Sequence, residues 1–123
     1  MEFSEPKGIY HQIADQIRDR ILQREWQAGE RIPSIRELAI DLGVNPNTVT
    51  KSYQALMDRG IIENQRGRGY FVSANATATI LDEMRARLVR DELPRLFQAM
   101  RVLDIGIDEL AEYFVQDEGE KRK

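Results

Sequence analysis

Cysteine is absent from this 123-residue chain, and histidine and tryptophan occur once each. Without thiols there are no disulfides and no thiolate metal sites, and the lack fits a reducing compartment. His11 has no second histidine with which to hold a metal ion, so it reads as a surface or polar-contact side chain rather than a ligand or a pH switch. No apolar run approaches the roughly 18 residues of a membrane-spanning helix, and Met1 to Lys7 carries no hydrophobic signal region. The expectation is a cytoplasmic protein with no membrane partner, of a length that fits one compact domain plus an appendage.

A basic excess is missing too. The formal net charge is -3 and the sequence pI is about 5.3, which taken as a total argues against a nucleic-acid partner. The distribution says otherwise: residues 1 to 73 hold ten Lys+Arg against ten Asp+Glu, and residues 74 to 123 hold eight against eleven. The acidity lies in the C-terminal part. Contact with DNA would rest on a local patch of Arg36, Lys51, Arg66 and Arg68, weak for one protomer and steeply salt-dependent. Chemistry finds no footing either. The carboxylates Asp82, Glu83, Asp91, Glu92, Asp108, Glu109 and Glu112 alternate with Arg85, Arg87, Arg90 and Arg95 at helical spacings, which reads as a solvated face laced with ion pairs. No nucleophile lies beside a base, so neither an enzyme nor a cofactor site is expected.

What the chain does contain is concentrated between residues 33 and 73. Ser34 followed by Glu37 is a capping box, so a helix starts at about Ile35 with Leu38, Ala39 and Leu42 on its buried stripe. Gly43 supplies the left-handed residue that ends it. Asn45 is a good N-cap and Pro46 suits the first helical position, so a second helix runs from Pro46 to about Arg59. Val49, Tyr53, Leu56 and Met57 share its inner face, leaving Asn47, Thr48, Thr50, Lys51 and Gln54 outward. That outward set is polar and compact, as in a helix that lies in the major groove. Alone it is also the face of any solvated helix. The tight turn before it and the hairpin after it tip the balance. Ile61 to Gln65 and Tyr70 to Ser73 read as two strands flanking Arg66, Gly67, Arg68 and Gly69, a wing with arginines at its tip. Gly67 and Gly69 suggest a nucleotide-binding loop only in a strand-to-helix setting, which is absent here.

These segments, Ile32 to Ala39, Leu42 to Val49, Tyr53 to Leu56, Arg59–Gly60 and Arg66 to Gly69, with Ile9 to Ile13 and Gly29 to Arg31, resemble the GntR family of bacterial transcription regulators across about residues 3 to 73. The Asn45-Pro46-Asn47-Thr48 turn and the short C-terminal region are similar to its YtrA subfamily, small dimeric regulators that are mostly repressors. The resemblance implies operator contacts from Arg36, Asn45, Asn47, Thr48, Thr50, Arg66 and Gly67; Lys51 and Arg68 join them on charge and position. The family usually carries proline before the Ile-Tyr pair, where this chain has Gly8.

The remaining segments frame the motif. Ile9, Ile13, Ile17 and Ile21 recur every four residues and define a scaffold helix from about Ile9 to Arg24, with Trp26 as a core plug behind it. Residues 74 to 79 are small and polar and read as a hinge or the frayed start of a helix. Beyond them, residues 80 to 118 read as a helical dimerisation region: a long amphipathic helix to about Leu103, kinked at Pro94, then a turn and a short last helix capped by Asp108 or nearby. Residues 119 to 123 read as a disordered tail. Leu81, Met84, Leu88, Leu96, Met100, Leu103, Leu110 and Phe114 are the expected dimer contacts, because a helix pair alone cannot bury such a face; folding back onto the body is the alternative.

The fold class expected is mainly α with a small β wing, a winged helix-turn-helix over residues 1 to 73 plus a C-terminal two-helix dimerisation tail. The function expected is a sequence-specific transcription regulator, a repressor by resemblance, binding double-stranded DNA at an inverted repeat as a homodimer. A winged helix used for protein contact, without its own operator, is the competing class, and an unknown small-molecule effector has room only in a crevice.

Overall fold

The computed structural model describes residues 6 to 122, whose elements run in the order α1 (Pro6–Leu22), β1 (Arg31–Ile32), α2 (Ile35–Leu42), α3 (Pro46–Asp58), β2 (Ile62–Gln65), β3 (Gly69–Val72), α4 (Ala76–Arg87), a π-helical turn (Leu88–Glu92), α5 (Leu93–Leu103) and α6 (Ile107–Lys121). The chain divides into two compact units, Met1–Glu83 and Met84–Lys123, the division falling inside α4.

In the first unit α1 begins three residues earlier than the isoleucine periodicity suggests and ends at Leu22, with Arg24 already left-handed at φ 65°. Ile13, Ala14, Ile17 and Ile21 enter the core, whereas Ile9 is 37% exposed and lies outside it. Their core neighbours are Leu38 and Ala39 of α2, Val49, Tyr53 and Leu56 of α3, and Trp26 and Ile32. The Arg20 guanidinium lies 4.8 Å from the Trp26 ring, so the plug is covered by a cation on its outer side.

The wing is a three-stranded antiparallel sheet in the order β1-β3-β2, not a bare hairpin. Arg31 pairs with Phe71 and Ile32 with Tyr70, while Ile62 pairs with Val72 and Gln65 with Gly69. Because side chains alternate across a strand, Ile32, Tyr70, Val72 and Ile62 face the core, and Arg31, Gly69, Phe71, Glu63 and Gln65 share the outer face.

Of the two readings of residues 74 to 79, a hinge or the start of a helix, the structure has the second. Ala76 to Thr79 open α4, and Ala76 and Ile80 are buried in the same core as the winged helix. Small polar residues mimic a linker in composition, but one methyl and one isoleucine at i and i+4 suffice to seat a helix.

In the second unit the expected kink at Pro94 takes the form of a π-helical turn. Pro94 has no N–H for the Arg90 carbonyl, and the Leu93 N–H donates to the Leu88 carbonyl five residues back, so the widened turn absorbs the proline. Asp104, left-handed at φ 56°, ends α5. The N-cap of α6 is Gly106 rather than Asp108, which lies inside the first turn beside Glu109, where its charge suits the helix dipole. The expected disordered tail is corrected as well: α6 continues through Gly119 to Lys121, and Lys123 lies outside the described residues. Its helical end is served by Lys121 in the last turn. Among the expected dimer contacts, Leu81, Met84, Leu88, Leu96, Leu103 and Phe114 are exposed and Leu110 is half-buried. Met100 is only 7% exposed and is therefore spent inside the chain. No helix among the described residues is long and apolar enough to cross a membrane.

Candidate nucleic-acid interface

The helix-turn-helix is built by local hydrogen bonds. At the start of α2 the Glu37 N–H donates to Ser34 Oγ at 3.0 Å, and the Ser34 N–H donates to Glu37 Oε1 at 2.8 Å, the reciprocal box. That backbone donor, with the Ser34 hydroxyl and the nearby Arg31 charge, holds the Glu37 carboxyl below its ordinary range. Gly43 at φ 68° closes α2, and the Val44 N–H then bonds the Ala39 carbonyl. At the start of α3 the Asn47 N–H donates to Asn45 Oδ1 at 2.8 Å.

Two hydroxyls then pin α3 from its inner side. Tyr53, fully buried, donates to the Pro33 carbonyl at 2.6 Å and meets Tyr70 edge-on at 4.9 Å, joining α3 to the start of α2 and to the wing. Ser52, also fully buried, donates to the Tyr10 carbonyl of α1 at 2.8 Å, with the Thr48 carbonyl at 3.1 Å as its second acceptor. Burial pushes the Tyr53 hydroxyl above its ordinary range, so it remains a donor. The inner side of α3 is thereby tied to α1, to the start of α2 and to the wing.

The outer face carries Asn47, Thr50, Lys51 and Gln54, all exposed, with Thr48 half-buried at its edge. Their free valences differ. The amide oxygen of Asn45 is occupied by the cap, which leaves its NH2 as a donor. The Thr50 hydroxyl donates to the Pro46 carbonyl at 3.0 Å, so outward it offers an acceptor and a methyl group rather than a proton. Gln54 Nε2 is turned to Asp58 Oδ1 at 2.9 Å. Asn47 uses its backbone in the cap, and among the described residues its side chain makes no hydrogen bond, which leaves both a donor and an acceptor, the pair that can read an adenine edge. Lys51 lines a shallow cleft of about 320 Å³ with Tyr10, Gln54, Ala55 and Asp58. His11 is exposed and stacks on Tyr10 at 4.4 Å.

Arg36 is exposed in the first turn of α2, and Arg66 and Gly67 are exposed at the wing tip, where Gly67 sits at φ 78°. The Arg68 N–H closes the tip by donating to the Gln65 carbonyl at 2.8 Å. Its side chain is not extended from the tip but lies over the Phe71 ring, 5.2 Å from the centroid, on the outer face of the sheet. A second arginine joins it on that face, one not anticipated from the sequence. Arg31 runs across Gly69, so closely that a Cβ at that position would come within 2.9 Å of its Nε. The signal was present in β1's alternation, since Ile32 inward places Arg31 outward, but a two-residue strand is too short to be recognised before its partner is known. Ser52 was missed for a similar reason: a serine inside a helix announces no carbonyl 42 residues away.

Three comparisons bear on this geometry. Residues 9–72 match the model of the bacterial regulatory proteins of the gntR family. The chain is similar to YhcF, an uncharacterized HTH-type transcriptional regulator of Bacillus subtilis (strain 168), at 39% identity over 111 residues, 90% of each chain. It is similar to the HTH-type transcriptional repressor YtrA of the same organism at 36% identity over 105 residues, 85% of this chain and 80% of that one. Among solved structures it resembles a GntR-family regulator from Bacteroides thetaiotaomicron, with a TM-score of 0.82 at 34% identity over 92% of this chain and 98% of the other.

Proposed function

This chain belongs to the gntR family of bacterial regulatory proteins, DNA-binding transcription regulators and not enzymes, and from that premise we propose a repressor that binds an inverted-repeat operator as a homodimer. The single observation that carries the reading is the outer face of α3, rigidly held from behind by Ser52 and Tyr53 and presenting an uncommitted Asn47 side chain. An apolar outer face would have favoured protein contact; this one is polar. Repression follows the name of YtrA, and it would operate by occupying promoter DNA.

In this reading α3 enters the major groove. Asn47 reads a base edge, Thr50 and Thr48 contact base methyl or amino groups, and Asn45, Lys51, Arg36, Arg66, Gly67 and Arg68 hold phosphates or the minor groove. The apolar side chains of residues 80 to 116 supply the second copy: Leu81, Met84, Leu88, Leu96, Leu103, Leu110 and Phe114, with Met100 withdrawn from the set. A cleft of about 420 Å³ lined by Leu96, Ile107, Leu110, Ala111, Phe114 and Val115 suits protruding side chains of that copy. It offers no convergent polar groups for a metabolite effector. A two-fold dimer implies half-site centres about 34 to 36 Å apart.

The test is a randomised-site selection. Arg36→Ala is expected to weaken binding about equally across sequences, whereas Asn47→Ala relaxes the preference at one position per half-site by about 1–3 kcal/mol. Identical behaviour of the two variants would refute the assignment.

A further inference from the structure

Among the described residues, four of the five ion pairs join side chains five residues apart or fewer, and one joins two elements. Arg59 caps the C-terminal end of α3, and Glu83 lies two turns into α4. Arg59 Nε donates to both carboxylate oxygens at 3.1 and 3.2 Å, and Nη2 donates to Oε1 at 2.7 Å. Ala76, Ile80 and Glu83 fall at i, i+4 and i+7 on α4. The first two are buried in the winged-helix core and the third is clamped to the last turn of the recognition helix.

The three contacts do different work. Apolar contact at Ala76 and Ile80 seats the first turns of α4 in the core, and the ion pair adds a third, directional point of attachment farther along the helix. A guanidinium gripping a carboxylate through two nitrogens fixes both separation and plane. The pair therefore restrains the part of α4 up to Glu83 against the end of α3, and exposed Leu81 lies on that part.

We propose that Arg59 and Glu83 are a positioning pair that sets the operator spacing the regulator accepts, by locking each recognition helix to the root of the tail that pairs the protomers. The inference rests on the dimeric reading above. In the absence of the pair each α3 would still meet its own half-site, but the distance between the two would be free to vary, and the penalty for a wrong spacer would fall.

The full chain is tested against a series of inverted repeats whose central spacer changes one base pair at a time, together with an isolated half-site. The wild type, Glu83→Gln, Arg59→Lys and the double exchange Arg59→Glu with Glu83→Arg are compared by competition binding. The wild type is expected to show one sharp optimum. Each single variant is expected to lose about fivefold or more of the preference for that optimum over its neighbours, with half-site affinity within about twofold of wild type, and the exchange to restore the preference. A variant that weakens every spacer and the half-site alike, or that keeps the wild-type profile, overturns the proposal. A wild type indifferent to spacer overturns the dimeric reading itself, and this inference with it.

Discussion

Tyr53→Phe removes one hydroxyl from the centre of the winged helix and nothing else. In the native chain that hydroxyl is fully buried and donates to the Pro33 carbonyl at 2.6 Å, immediately before the Ser34 cap. With phenylalanine the ring still packs against Tyr70, but the half-buried carbonyl loses its partner. Leaving such an acceptor unsatisfied costs about 1–3 kcal/mol, offset in part because the hydroxyl need no longer be desolvated. A net loss of about 1–2 kcal/mol is expected, which for a unit of this size lowers Tm by roughly 4–16 °C. Thermal melts followed by circular dichroism at neutral pH measure it. The pH dependence sharpens the test. Burial raises the folded hydroxyl above its ordinary value of 10.0, so the wild-type advantage should hold up to that pH and shrink above it, where the unfolded chain alone ionises. A Tm change under about 2 °C, or an advantage that grows above pH 10, would refute the reasoning that this bond anchors α2 to α3.

Three further outcomes are expected. Because the folded Glu37 carboxyl lies below its ordinary 4.5, its contribution is present above that pH and is lost as pH falls through the lowered value. The stability difference between the wild type and Glu37→Gln should therefore change below pH 4.5, and a difference constant with pH in urea titrations would contradict the capping box. Arg31→Ala should reduce the slope of log affinity against log salt by about 1 per protomer, with unchanged circular dichroism; an unaltered slope would remove Arg31 from the DNA-facing surface. Phe114→Asp should shift the chain from dimer to monomer in sedimentation equilibrium while leaving the melt of the winged helix in place, and a persistent dimer would displace the interface from this face.

How much was legible in the sequence follows how local the cause was. α2 and α3 could be read to within a residue or so because Ser34, Glu37, Gly43, Asn45 and Pro46 act within a turn of themselves. β1 could not, because Arg31 and Ile32 are a strand only by pairing with Phe71 and Tyr70 forty and thirty-eight residues on. The small residues at 74 to 79 look like a linker until Ala76 and Ile80 are found in the core. Asp108 has the side chain of a cap, yet Gly106 precedes it in extended geometry and takes the position. The local rule for Pro94 was sound about the lost hydrogen bond and silent about the remedy, since a π-helical turn leaves no mark in composition. At the interface, exposure and charge were readable and commitment was not. That Thr50 spends its proton on Pro46, or that Arg68 lies over Phe71, depends on side-chain rotamers that no spacing encodes.

In the proposed complex two copies of one polar helix face read one operator. The most direct test is the stoichiometry of the complex on a selected operator, measured by sedimentation velocity with labelled DNA at two salt concentrations. Two protomers are expected on an inverted repeat whose half-site centres lie about one helical turn apart, with binding that collapses when one half-site is scrambled. One protomer per operator, held with undiminished affinity by a single half-site, would contradict that reading.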